Sequence, residues 1–153
     1  MRSGFTTGSC AAAASKAAAY MLLLEKEKNI ISIETPKGID YEAKILDIRR
    51  ENESVSCAVK KNSGDDPDVT NGILIYSNVS VIKEADEKDG ASVYIDGGEG
   101  VGRVTMPGLD QPVGNAAINH VPREMITKEV LEVCRLADFK GSLKVIISAK
   151  GGE

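Results

Sequence analysis

The chain has 153 residues, 42% of them hydrophobic, with no Trp, two Phe, four Tyr and 15 Gly, which fits one globular domain with an aliphatic core and many special turns. That aliphatic content excludes a disordered chain, and the lack of a repeat excludes a fibrous one. The 19 Lys and Arg are scattered among 23 Asp and Glu, and the formal net charge of -4 argues against nucleic acid as a partner.

The segment Met1 to Leu24 carries an early Arg and an alanine-rich stretch, as a signal peptide does. Lys16 interrupts it, however, and the apolar run Ala17 to Leu24 is about a third of a membrane span. We read a soluble helix and no membrane partner. Thr6, Thr7, Gly8 and Ser9 supply N-cap chemistry, and the pattern predicts a helix from about Ser9 to Lys28. Ala13, Ala17, Tyr20, Met21 and Leu24 form one expected buried stripe, and alanines at this density suit close packing on a sheet.

From Ile30 the period changes to two. Ile31 and Ile33, Tyr41 to Arg49, Val55 to Val59, Ile73 to Val81, and Val93 to Ile95 read as strands, with turns at Pro36-Lys37-Gly38 and Glu51-Asn52-Glu53. A second helix is expected from about Pro122 to Ala137, with Ile126, Val130, Val133, Cys134 and Ala137 on its buried face and Gly141 beyond its end. Leu143 to Ile147 reads as a last buried strand. The expected class is α+β: a mainly antiparallel sheet of about five to six strands with two principal helices packed on it, spanning residues 1–153. A strand followed by Gly151-Gly152 is a natural entry into another element, so the chain is expected to be cut from a longer protein.

Cys10, Cys57 and Cys134 are far apart with no C-x-x-C pair, which supports neither a disulfide framework nor a thiolate zinc site and points to a reducing cytoplasm. With His120 as the single histidine, no triad or His-rich metal site is expected, and His120 reads as a local hydrogen-bonder. Four segments remain that can carry chemistry. Gly4 to Cys10 leads into the first helix, whose free N–H groups and neighbouring hydroxyls suit an anion; the plainer reading is capping. Gly64 to Gly72 holds Asp65, Asp66 and Asp68 around Pro67, with Thr70 following. It reads as a solvated turn or as a stiff acidic loop able to bind a divalent metal or a protein, without EF-hand spacing. Asp96-Gly97-Gly98-Glu99-Gly100-Val101-Gly102-Arg103 follows a strand as a methyltransferase cofactor loop does, but Val104, Thr105 and Pro107 cannot open a helix. Pro112 to Arg123 reads as an ordered surface loop in which Asn119, His120 and Arg123 can bond a carboxylate.

In this order, G-F-T-T-G-S-C-A-A-A-A, G-D-D-P-D-V-T-N-G, D-G-G-E-G-V-G-R-V-T-M-P-G-L and G-N-A-A-I-N-H-V-P-R-E-M-I resemble one family closely, that of cobalt-precorrin-5B C1-methyltransferase in anaerobic cobalamin biosynthesis. The motifs run from residue 4 to residue 126 and so cover nearly the whole chain. The resemblance implies methyl transfer from S-adenosylmethionine to ring carbon 1 of a cobalt-containing tetrapyrrole, with cobalt belonging to the substrate. It also implies a C-terminal domain beyond this chain, carrying the main cofactor-binding region. The substrate is expected at Thr6, Thr7, Ser9, Asp65, Asp66, Asp68, Thr70, Arg103, Asn119 and Arg123, and cofactor contacts at Gly98, Gly100 and Gly102. Hydroxyls at helix starts and guanidinium groups suit the carboxylate arms of such a ring. A homo-oligomer is compatible with all of this.

Overall fold

The computed structural model describes residues 7–61, 72–84, 90–102, 111 and 114–151, leaving aside the side chains of Lys83 and Glu84. The elements in chain order are α1 (Thr7–Leu24), β1 (Ile30–Glu34), β2 (Asp40–Lys44), β3 (Leu46–Glu51), β4 (Ser54–Lys60), β5 (Leu74–Glu84), β6 (Ala91–Gly97), α2 (His120–Leu136) and β7 (Gly141–Lys150). The α+β class is as expected. Strands β1 and β2 form a separate antiparallel hairpin, and the other five form one sheet in the order β3-β4-β5-β7-β6.

That main sheet is mixed. Its pairings are antiparallel except for β6 and β7, which run parallel. The reason lies in the connection: α2 carries the chain from the end of β6 back to its beginning, and such a crossover delivers the next strand in the same direction. A further departure concerns Tyr41 to Arg49, expected as one strand. Its buried positions are Tyr41, Ala43 and Ile45, whereas in β3 the less exposed ones are Leu46 and Ile48. The adjacent pair Ile45-Leu46 shifts the alternation by one residue, and Asp47 bends the chain with φ 49. Strand β2 therefore joins β1, and β3 joins β4.

Helix α1 is the centre of the molecule. Twelve of its eighteen residues are buried, too many for the single stripe expected. Alanines leave room for neighbours on every side, and α1 touches β4 and β5, α2 and the β1–β2 hairpin. The helix stops at Leu24 rather than Lys28 because Glu25 takes a left-handed φ of 55. Helix α2 keeps the expected pattern, burying Ile126, Val130, Val133 and Cys134. With Val145, Leu143 and Ile75 also fully buried, each such aliphatic side chain contributes about 1.5–3 kcal/mol.

Polar groups inside this core are partnered. Ser15 and Ser77 share a hydrogen bond of 2.8 Å between α1 and β5, and the Cys57 thiol donates to the Ala14 carbonyl at 3.3 Å. Lys16 joins three elements: its Nζ donates to the Ser32 carbonyl at 2.8 Å and lies 3.3 Å from the buried Glu129 carboxylate of α2.

Candidate functional site

The sheet has one end at which β4, β6 and β7 finish and β5 begins. Lys60, Leu74 and Lys150 stand in one row there, and Gly97 pairs with Ile147 nearby. Both helices start at the same end. A Cβ added to Gly8, in the first turn of α1, would lie 3.1 Å from Pro122 Cγ in the first turn of α2. Two helix N-termini side by side direct their free N–H groups and positive dipole ends to one rim.

Three of the four sequence segments meet on this rim. The Gly98–Val101 turn is closed by the Val101 N–H donating to the Gly98 carbonyl at 3.2 Å, and it is stitched to the end of β7 by Gly98 N–H to Ile147 O at 2.8 Å and Ala149 N–H to Glu99 O at 2.9 Å. The loop before α2 joins it through Ala117 N–H to Gly102 O at 2.8 Å. Arg123 clamps this arrangement from α2. Its Nε donates to Ile118 O at 2.6 Å and its Nη2 to Ala116 O at 3.1 Å, while its Nη1 reaches Ile95 O at 3.5 Å.

Asp65, Asp66, Asp68 and Thr70 lie outside the described residues, as do Thr6 and Arg103. The two described flanks of the acidic segment close on each other at this end of the sheet, Lys61 N–H to Ile73 O at 2.7 Å and Gly72 N–H to Lys61 O at 3.1 Å. The Lys61 charge acts on the Cys10 thiol near the start of α1, favouring its ionised form. The rim is therefore also where the acidic segment leaves and re-enters the sheet.

The described site candidates differ in what they offer. Thr7 is exposed as the first residue of α1, whereas Ser9 is 3% exposed and belongs to the core. Asn119, the N-cap residue of α2, is exposed and makes no side-chain cap bond, which leaves its amide to face the rim's surroundings. Arg123 is half-buried, with its nitrogens on backbone carbonyls. A Cβ at Gly98 would come within 2.7 Å of Ser148 Oγ, and one at Gly100 within 2.2 Å of the Ala149 carbonyl oxygen. Both glycines are accounted for by the close approach of β7. Nothing lies within 4 Å of a Cβ built at Gly102.

Cys10 stands near the α1 N-terminus but is not primed for attack. It is fully buried, and desolvation raises its thiol pKa, partly offset by the Tyr41 hydroxyl at 3.6 Å and the Lys61 charge. Burial likewise pushes the Cys57 thiol up to about 12 and the Cys134 thiol to about 11. The sequence reading missed Tyr94 and Lys144, neighbours on the parallel strands β6 and β7 that line a cleft beside the rim. Both sit at outward positions of their strands, and only the pairing of strands reveals their adjacency.

A mixed sheet that gathers two helix starts and a glycine-rich turn at one end defines an α+β domain with an anion-favouring rim. The chain belongs to the CbiD family, whose model matches residues 1–153. Proteins named cobalt-precorrin-5B C(1)-methyltransferase from Alkaliphilus metalliredigens and Ruminiclostridium cellulolyticum are 51% and 48% identical to it over 153 residues. The chain spans 38% of the length of each of these relatives, and all of its own length is covered. It also resembles the crystal structure of the cobalamin biosynthesis protein cbiD from Archaeoglobus fulgidus, with a TM-score of 0.63 and 29% identity, over 96% of this chain and 44% of that one.

Proposed function

We propose that this chain supplies part of the tetrapyrrole site of a cobalt-precorrin-5B C1-methyltransferase, the enzyme that moves a methyl group from S-adenosylmethionine to ring carbon 1 of a cobalt-containing macrocycle. The observation that carries this reading is the likeness, over the whole chain, to relatives bearing that name. The rim supports it. A macrocycle rich in acetate and propionate arms needs fixed positive potential and exposed donors, and two helix starts with Thr7 and Asn119 provide them. Thr6, Asp65, Asp66, Asp68, Thr70 and Arg103 are proposed for the same site from their place in the motifs.

Methyl transfer from a sulfonium to carbon is an in-line displacement, gained by aligning donor with acceptor and excluding water. It needs no side-chain nucleophile, in keeping with three buried thiols whose pKa values are raised. Gly98 and Gly100 are filled by β7 of this chain, so we assign the Gly97–Gly102 turn to shaping the rim. The donor's site then falls in the part of the relatives that this chain does not span.

The test is calorimetric titration of the purified chain with dicyanocobyrinic acid and, separately, with S-adenosylmethionine. The corrinoid is expected to bind and the donor to bind weakly or not at all, with Thr7→Val and Asn119→Ala each lowering corrinoid affinity. Absence of corrinoid binding both by this chain and by the full-length Alkaliphilus relative would overturn the reading.

A further inference from the structure

Beside the rim, a cleft of about 400 Å³ opens between the β6 edge, the loop before α2 and the first turn of α2. Tyr94, Asp96, Asn115, Ala116, Arg123 and Lys144 line it. We propose that this cleft is a second contact for the macrocycle, taking one ring edge with its carboxylate arm: Tyr94 is the flat platform and Lys144 the carboxylate partner. The inference rests on the tetrapyrrole reading and names a place on the protein that the rim argument does not use.

Three observations carry it. Tyr94 is 56% exposed, and it stands directly beside Lys144 in the parallel β6–β7 pairing, so its ring face and the ammonium are available together. Among the described residues no hydrogen bond or ion pair engages the half-buried Lys144 ammonium, although Lys16 and Arg49 both have carboxylate partners. Among the described residues the cleft also carries two cations against one carboxylate. That carboxylate, Asp96, has one oxygen 2.8 Å from the Gly97 N–H that it accepts. A neutral sugar or a cation has no use for this balance, whereas a flat anion has.

Size selects the fragment. A cavity of about 400 Å³ is at the small end for ligand pockets and holds a single pyrrole-derived ring with one arm, not a whole macrocycle. Arg123 shapes the cleft without offering itself to the ligand, because its nitrogens hold the Ala116 and Ile118 carbonyls that form the wall. It is a positioning residue, and Lys144 and Tyr94 are the contacts.

The experiment records amide shifts of the ¹⁵N-labelled chain and affinities with two probes: dicyanocobyrinic acid, with carboxylate arms, and dicyanocobinamide, the same ring system with amide arms. Expected are shifts at Tyr94, Asn115 and Lys144 and a roughly tenfold loss of cobyrinic acid affinity in Lys144→Gln, restored largely by Lys144→Arg, with cobinamide affinity unchanged. Tyr94→Ala weakens both probes. Cobyrinic acid binding with shifts confined to other regions, or a Lys144→Gln variant that loses neither probe or both equally, overturns the cleft while leaving the tetrapyrrole reading in place. If neither probe binds, both fall together.

Discussion

Gly100→Ala is the sharpest probe of how the rim is built. Gly100 has φ 78, and an added Cβ would sit 2.2 Å from the Ala149 carbonyl oxygen and 3.1 Å from its carbon. These are backbone atoms at the end of β7, so no side chain can swing aside. Two costs combine. Holding a non-glycine residue in the left-handed region costs about 1–2 kcal/mol. Pushing the strand end away breaks the Ala149 N–H to Glu99 O bond, a further loss of about 1 kcal/mol. The sum of about 2–3 kcal/mol lowers the melting temperature of a chain this size by roughly 4–12 °C. Gly38→Ala isolates the first cost, since Gly38 has φ 79 and open space around it. Gly102→Ala, in open space and outside the left-handed region, controls for the substitution itself. The assay is reversible thermal unfolding followed by circular dichroism. A Gly100→Ala midpoint within about 2 °C of Gly38→Ala would refute the claim that contact with β7 fixes this glycine.

Other outcomes follow from the core. Lys16→Met leaves Glu129, only 3% exposed, without its ion pair and is expected to cost about 3 kcal/mol, whereas the double variant Lys16→Met with Glu129→Leu recovers most of that loss; additive denaturation midpoints would contradict this coupling. The thiols predict an alkaline limit. Cys57 and Cys134 sit at about 12 and about 11 in the folded chain against an ordinary 9.0, so the unfolded state gives up these protons first. Their contribution is complete below pH 9 and is lost as pH rises through the folded values, by up to about 1.4 kcal/mol per pH unit per thiol. Urea unfolding across that range should show it, with a shallower decline in Cys57→Ala; a midpoint that holds steady from pH 9 to 11 speaks against it.

Local pattern was enough for much of this architecture. The strict alternation in Ile31 and Ile33, in Val55, Cys57 and Val59, and in Leu143, Val145 and Ile147 put each strand and its buried face in view, because one side of each faces the helices. The same logic held the clue to the break in Tyr41 to Arg49: Ile45 beside Leu46 violates a period of two, and the strand changes sheets there. What pattern cannot carry is pairing. Nothing in Val93 to Ile95 states that its neighbour is the distant β7 or that the two run parallel, and so the Tyr94–Lys144 cleft stayed hidden. The glycine-rich segment shows a related limit. Its residues announce tight backbone packing, yet it is the fold that brings Ser148 and Ala149, from the end of β7, to do the packing.

The position of β7 has a consequence for how this polypeptide acquires its shape during synthesis. Strand β7, the last of the described strands in chain order, is inserted between β5 and β6, and both remain with an unpaired edge until it arrives. A nascent chain that has emerged only as far as α2 therefore exposes two adhesive borders and lacks the Leu143, Val145 and Ile147 row that seals the interior. Ribosomal pausing or release before about residue 141 leaves a species prone to clumping.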